Sequence, residues 1–327
     1  MRRRSLVAGI GSVVATPSGR ARAQGPSLPV IGLLATSSAE APAGPVEAIR
    51  LGLKQAGYEV GAKVRLEYRY ADNQPDRLPG LARELAALPV DVIVTSGGPA
   101  ATLAAKAATT SIPIVFAPVS DPVRVGLVQS LNRPGGNVTG VAALTIELDP
   151  KRLELLAEFL PDRGPLGFLC NPARPDSEAQ IESIRTAARA LGKGLVLAQA
   201  STPDELAPAC EALARGAVVS VLVGADAFFS SRRQQVVSLV ARHRWPAVFQ
   251  WREFVDLGGL ASFGPSLFDA YRQTGLFAAR ILAGEKPANL PVQQPTKFEF
   301  VLNLRTARAL GLAVPVALLS RADDVIE

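Results

Sequence analysis

The chain is poor in the residues on which most enzyme chemistry depends: one histidine and two cysteines occur in 327 residues. Each scarcity removes a class of function. His243 is the only imidazole available, so a Ser-His-Asp triad would need that one residue as its base. It lies in Ala241-Arg242-His243-Arg244-Trp245, just before an apolar stretch, and reads as a solvated helix end. Cys170 and Cys210 are too few for a Cys-rich metal site, although a single disulfide between them stays open. No catalytic residue, metal ligand or cofactor is therefore expected. Long apolar runs are missing too. Leu6–Ala15 falls well short of the roughly 20 residues that span a bilayer, and no later segment reaches that length without charges.

A one-sided charge is also lacking once its position is considered. The formal charge is +6, but Arg2, Arg3, Arg4, Arg20 and Arg22 precede Gln24 and no acidic residue does. The rest of the chain carries 30 basic against 29 acidic residues. A phosphate-binding face needs clustered positive charge, so nucleic acid is not an expected partner. What is present is apolar surface. Hydrophobic residues make up 48% and charged residues 20%, enough to bury a large core. The length suits two lobes of about 100–150 residues each.

The first 23 residues read as an export signal: basic Arg2–Arg4, the short apolar Leu6–Ala15, and a small-x-small Ala21-Arg22-Ala23 before Gln24. The bland alternative is a basic tail. Arg3-Arg4-Ser5-Leu6-Val7 weakly resembles a twin-arginine signal, which leaves the export route open. No Cys follows the apolar run to accept a lipid. A periplasmic location, with cleavage near Ala23, is the expectation.

Beyond that segment, apolar runs rich in Val and Ile alternate with amphipathic Ala/Leu/Arg stretches. The strands predicted are Val30–Ala35, Val64–Tyr70, Asp91–Thr95, Ile112–Phe116, Leu166–Cys170, Gly194–Ala198, Val218–Val223 and Ala247–Phe249. Near-continuous apolar strands alternating with helices imply parallel sheets covered on both faces. The order repeats. Glu47-Ala48-Ile49-Arg50 is echoed by Glu182-Ser183-Ile184-Arg185, Asp91–Gly97 by Val218–Gly224, and Ile112–Phe116 by Trp245–Phe249. The predicted fold class is α/β, with two doubly wound parallel-sheet lobes joined by a multi-stranded hinge. Residues 28–140 plus 265–288 make the first lobe and 141–262 plus 296–327 the second. The turn-rich Gly135–Gly140, then Gly258–Gly264, then the Pro-rich Lys286–Pro295 are the expected crossings, and Phe268–Leu282 is a helix that completes the first lobe.

In such sheets ligands bind beyond the carboxyl ends of strands. That rule points to Thr36 and Ser37, to Ser96 and Gly97, and to Pro118 and Asp121 in the first lobe. In the second it points to Asn171, Asp226 and Gln250, with Ser262 on the return crossing. Thr95-Ser96-Gly97-Gly98-Pro99 is the sharpest feature, since its glycines admit a ligand to the backbone and a helix amino end follows. An ordinary helix start explains it equally well. Asp226 can accept from a ligand or cap the next helix, and Asp121 before Pro122 can be a turn former. Trp251 and Phe254 can stack on a flat ligand or pack beside the hinge. Two rival readings differ in class. Cys170-Asn171 suggests a two-cysteine amino-acid racemase, but Cys210 falls inside the helical Leu206–Ala214 and not at a strand end. A ligand-sensing module of a receptor system is the other.

Four segments carry a resemblance: Phe116–Leu127, Pro134–Gly140, Arg252–Leu260 and Gln294–Leu304, the last running on into Thr306–Leu312. In these the chain resembles the ABC-transporter substrate-binding protein family that includes the binding components of tryptophan and tyrosine importers. The resemblance implies the type I periplasmic binding fold, a three-stranded hinge and closure on a small-molecule ligand, amino-acid-like or an aromatic acid. It implies delivery to ABC permease subunits in the membrane, and no enzyme activity; a monomer is expected. It also places Ser96, Gly97, Pro118, Asp121, Thr139, Asn171, Asp226 and Ser262 where members of such a family line the cleft. Ser262-Phe263-Gly264 carries Phe where some relatives carry Tyr, which points away from an aromatic amino acid.

Overall fold

The computed structural model describes residues 28–40, 44–119, 121–143, 146–160, 164–174 and 176–327. The export segment read from residues 1–23 lies outside the described residues.

Two sheets organise the chain. The first contains β1 (Val30–Ala35), β2 (Arg65–Tyr70), β3 (Val92–Ser96), β4 (Ile114–Val119) and β5 (Val138–Ala142), in the order β2-β1-β3-β4-β5, all parallel. The central strands are apolar at nearly every position because helices cover both faces. On one face α2 (Leu78–Ala87) and α3 (Pro99–Ala108) bury Leu85, Ala101 and Ala105 against Leu34, Ile93 and Phe116. On the other, α1 (Gly44–Gln55) and α10 (Leu267–Leu282) bury Ile49, Leu53 and Phe277 against Leu33, Val94 and Val115. The edge strand β2 has one buried residue, Leu66, and keeps its charges.

The second sheet holds β6 (Leu166–Cys170), β7 (Leu195–Gln199), β8 (Ser220–Val223), β9 (Ala247–Phe249) and β10 (Ala261–Pro265) in the order β7-β6-β8-β9-β10. That is the order of the first sheet written again, so the sequence repeat is a repeat of topology. Two further strands, β11 (Phe298–Asn303) and β12 (Asp324–Ile326), extend it beyond β10. β11 runs antiparallel to β10. The second sheet is therefore mixed, because the returning chain enters it from the hinge end.

Three crossings join the sheets: after β5, from β10 into α10, and from Leu290 to Phe298. β5 runs to Ala142, so the boundary expected at 140/141 falls inside a strand. The first and third crossings are tied together. Ala142 N donates to Gln293 O at 2.8 Å, Gln293 N donates to Gly140 O at 2.9 Å, and the Thr139 hydroxyl donates to Leu290 O at 2.7 Å. The second is anchored from α4 (Asp149–Phe159): Arg152 Nε donates to Phe263 O at 2.5 Å. Arg152 also pairs with Asp149 at 2.6 Å, and Asp149 accepts from Gln180 Nε2 at 2.6 Å. Burial pushes the Asp149 carboxyl up, and the Arg152 charge and these donors oppose it.

Candidate ligand cleft

The strand ends of the first sheet form one wall. Ser96 closes β3, and its hydroxyl lies 3.0 Å from the Tyr271 hydroxyl on α10. Its carbonyl accepts from Thr36 N at 3.1 Å and Thr36 Oγ1 at 3.4 Å. Gly97 has φ +92, and a Cβ there would sit 2.7 Å from Thr36 Cβ, so only glycine lets the two loops meet. Gly98 starts α3 without a side-chain cap. A Cβ on Gly98 would lie 3.2 Å from Ala227 Cβ, which belongs to α7 (Ala227–Ser231) after β8. The two lobes therefore approach each other at this point.

Opposite, Asn171 and Asp226 end β6 and β8. Asp226 Oδ1 accepts from Asn171 Nδ2 at 3.0 Å and from Phe228 N at 2.7 Å, capping α7, while Oδ2 accepts from Arg174 NH1 at 3.2 Å. The Asp226 carbonyl accepts from Gln250 Nε2 at 3.1 Å. Asn171 and Asp226 therefore spend their polar atoms on one another and on their loop.

A pocket of about 230 Å³ opens where α10 leaves the second sheet. Gln250, Glu253, Ser262 and Glu299 line it from the second sheet and its α9 (Arg252–Asp256), and Leu267 and Phe268 from α10. Of the eleven residues singled out from sequence, only Gln250 and Ser262 line this pocket. Ser96 meets α10 through Tyr271, and Thr36 packs on Gly97, outside the pocket lining. Ser37 gives its carbonyl to Asp72 N at 3.2 Å, and Pro118 sits half-buried within β4. Asp121 holds its own turn, accepting from Arg124 N at 2.9 Å. Thr139 is fully buried and serves the crossings. Trp251 and Phe254 pack into the second core.

Glu253, Phe268 and Tyr271 escaped the sequence reading. Glu253 follows Trp251 by two residues inside a segment already quoted for the resemblance, but nothing in its neighbours marks it as buried. Burial pushes the Glu253 carboxyl up; its own N–H and Arg233 pull it down, and Asp256 and Glu299 push it further up. Burial likewise raises Tyr271, which feels both Glu253 and Arg233. Phe263, the residue expected to disfavour aromatic ligands, packs with Phe298 at 6.4 Å on the face away from the pocket. The Phe-for-Tyr difference therefore has no contact with that site.

The thiols have no part in the cleft. Cys170 belongs to the core on one face of the second sheet and Cys210 to the core on the other. Both are buried, free and pushed up to about 11 by burial. The sheet between them rules out a disulfide and a two-thiol racemase.

The family model for ABC transporter substrate binding protein matches residues 30–326. The chain belongs to the ABC transporter substrate-binding protein family. A tyrosine-binding protein of Clostridioides difficile (strain R20291) is 28% identical to this family member over 260 residues, 80% of this chain and 74% of that protein. An ABC domain in complex with L-Trp from Streptococcus pneumonia superposes with a TM-score of 0.82 at 26% identity, covering 92% of this chain and 100% of that one. The ligand-free, open structure of CD0873, a substrate-binding protein from Clostridium difficile, gives 0.69 at 25% identity, covering 92% and 99%. The fold is the type I periplasmic binding fold, shared at lower identity with other periplasmic binding proteins. As an ABC transporter substrate-binding protein, the chain binds a solute and is not an enzyme.

Proposed function

We propose that this substrate-binding protein captures a free amino acid with an apolar or aromatic side chain and hands it to the membrane permease of an ABC importer. One observation carries the reading: a pocket of about 230 Å³ straddles the junction of the lobes, with polar groups from one and Leu267 and Phe268 from the other. That volume is below the 300–1,000 Å³ usual for drug-sized ligands and suits a single amino acid. The relatives add support, since they include a tyrosine-binding protein and an L-Trp complex. At nearly equal identity the fold superposes better on the L-Trp complex than on the open, ligand-free structure, which favours a ligand-shaped closed state.

In this reading β1–β5 with α1–α3 and α10 form one lobe, and β6–β12 with the remaining helices form the other. Ser96 and the α3 turn offer a hydroxyl and helix-end N–H groups to the ligand carboxylate. Residues 1–23 direct export to the periplasm, where the protein acts as a monomer. Isothermal titration against L-tryptophan, L-tyrosine, L-phenylalanine and D-ribose tests this. Saturable one-to-one heat from at least one amino acid is expected, with none from the sugar. Binding of ribose alone would refute amino-acid capture.

A further inference from the structure

We propose that the pocket wall formed by Gln250, Glu253 and Ser262 is the subsite for the ligand's protonated amine, with Glu253 as its counter-charge. The assignment rests on the amino-acid reading above and adds which end of the ligand faces the second sheet.

Gln250 is 2% exposed, and its Nε2 donates to Asp226 O at 3.1 Å and to Ser230 Oγ at 2.8 Å. A flipped amide would set Oε1 against the Asp226 carbonyl, acceptor against acceptor, so the bonds fix its orientation. Gln250 Oε1 is then left buried without a donor. Glu253 Oε2 is in the same condition. Among the described residues Glu253 has no ion pair, and Arg233, whose charge reaches it, gives its NH1 to Ser230 O at 3.1 Å. Arg252 lines the pocket as well, but it is held by Asp324 at 2.8 Å and Asp256 at 3.6 Å. Glu299 adds a second carboxylate to the lining.

The lining therefore holds two carboxylates, the hydroxyls of Ser262 and Ser266, and one guanidinium, Arg252, whose charge is already paired. A buried acceptor without a partner is costly, and a buried carboxylate without a counter-charge more so. An ammonium supplies three donors and the missing positive charge. A sugar hydroxyl supplies donors without charge, and a carboxylate or phosphate meets repulsion. Leu267 and Phe268 across the pocket leave an apolar surface for the rest of the molecule.

The test is calorimetry of the full chain with two matched sets: L-tryptophan, indole-3-propionate and tryptamine, and L-tyrosine, 3-(4-hydroxyphenyl)propionate and tyramine. The amine-free acid of a set is expected to bind about 100-fold more weakly than its amino acid. In Glu253→Gln that ratio should shrink to roughly threefold or less, while Glu211→Gln, at an exposed carboxylate outside the pocket, should keep it. Thermal melting without ligand checks that both variants fold. Equal affinity for an amino acid and its amine-free acid, or an unchanged ratio in Glu253→Gln, overturns the subsite while leaving amino-acid capture standing. Calcium or magnesium chloride alone raising the melting temperature, with loss of that rise in Glu253→Gln, also overturns it in favour of a metal site. Binding by no member of either set refutes capture of these amino acids, and the subsite with it.

Discussion

Glu253 is where binding and stability pull in opposite directions. Its carboxyl is raised above the ordinary value of 4.5 chiefly by burial, so the folded state disfavours its charge. A raised group contributes full stability below its unfolded pKa and loses it as pH rises through the folded pKa. At neutral pH the unliganded protein therefore carries the penalty. Glu253→Gln is expected to raise the melting temperature of the ligand-free protein by about 2–4 °C at pH 7, and by nothing measurable near pH 4. Scanning calorimetry at the two pH values checks this; a lower melting temperature at pH 7 would mean the carboxylate is already compensated. Asp226 is a different kind of residue. Six bonds converge on its carboxylate and carbonyl, from Asn171, Phe228, Arg174, Gln250 and, twice, Ser230, so it shapes the loop that presents the pocket. Its place after an apolar strand was legible; that three of its partners, Gln250, Arg174 and Asn171, lie 24 to 55 residues away was not.

Among the elements, the α1–α10 pair decides how the two ends of the first lobe meet. Gly52 and Gly275 face opposite helices with almost no clearance. A Cβ on Gly275 would lie 2.2 Å from Ile49 O, and one on Gly52 would lie 2.0 Å from Arg272 O. Backbone cannot yield as a side-chain tip does. Gly275→Ala is expected to cost about 3 kcal/mol or more, the upper end of overpacking. Gly80→Ala in α2, which has nothing within 4 Å, should instead stabilise by about 0.5–1 kcal/mol. Urea unfolding of the two variants checks the contrast. Helix α10 itself was readable from its apolar spacing. Its close fit on α1 was not, because a glycine in a helix gives no sign of what approaches it. The strands β5 and β10 were read as turns or crossings for a related reason: Gly140 and Gly264 break the apolar run, yet each sits where a neighbouring strand comes too close for a Cβ.

For the whole molecule, the proposed capture of a solute rests on a balance between open and closed arrangements. Gly98 faces Ala227, so the ends of β3 and β8 meet across the cleft at this point. Three crossings, two of them hydrogen-bonded side by side, permit bending and resist twisting. A ligand shifts this equilibrium by its difference in affinity for the two states. The radius of gyration of the ligand-free protein in solution is expected to exceed that of the closed structure, and saturating L-tryptophan should bring it down. Small-angle scattering checks this. Equal radii with and without a ligand shown to bind would mean that closure is not the response to binding.

The sequence by itself determined the alternation of apolar strands and helices, the doubling of one topological unit, and the family. Local periodicity encodes burial on both faces of a sheet, and the unit is written twice in the chain. Tertiary structure alone decided which polar groups remain unmatched. Gln250 and Ser262 were named because they follow strands, a rule of topology. Glu253 joined them only because folding brought its carboxylate, one oxygen of it buried without a partner, into the same lining as Gln250. Whether a polar atom is satisfied depends on partners brought from distant parts of the chain, and no local pattern records that.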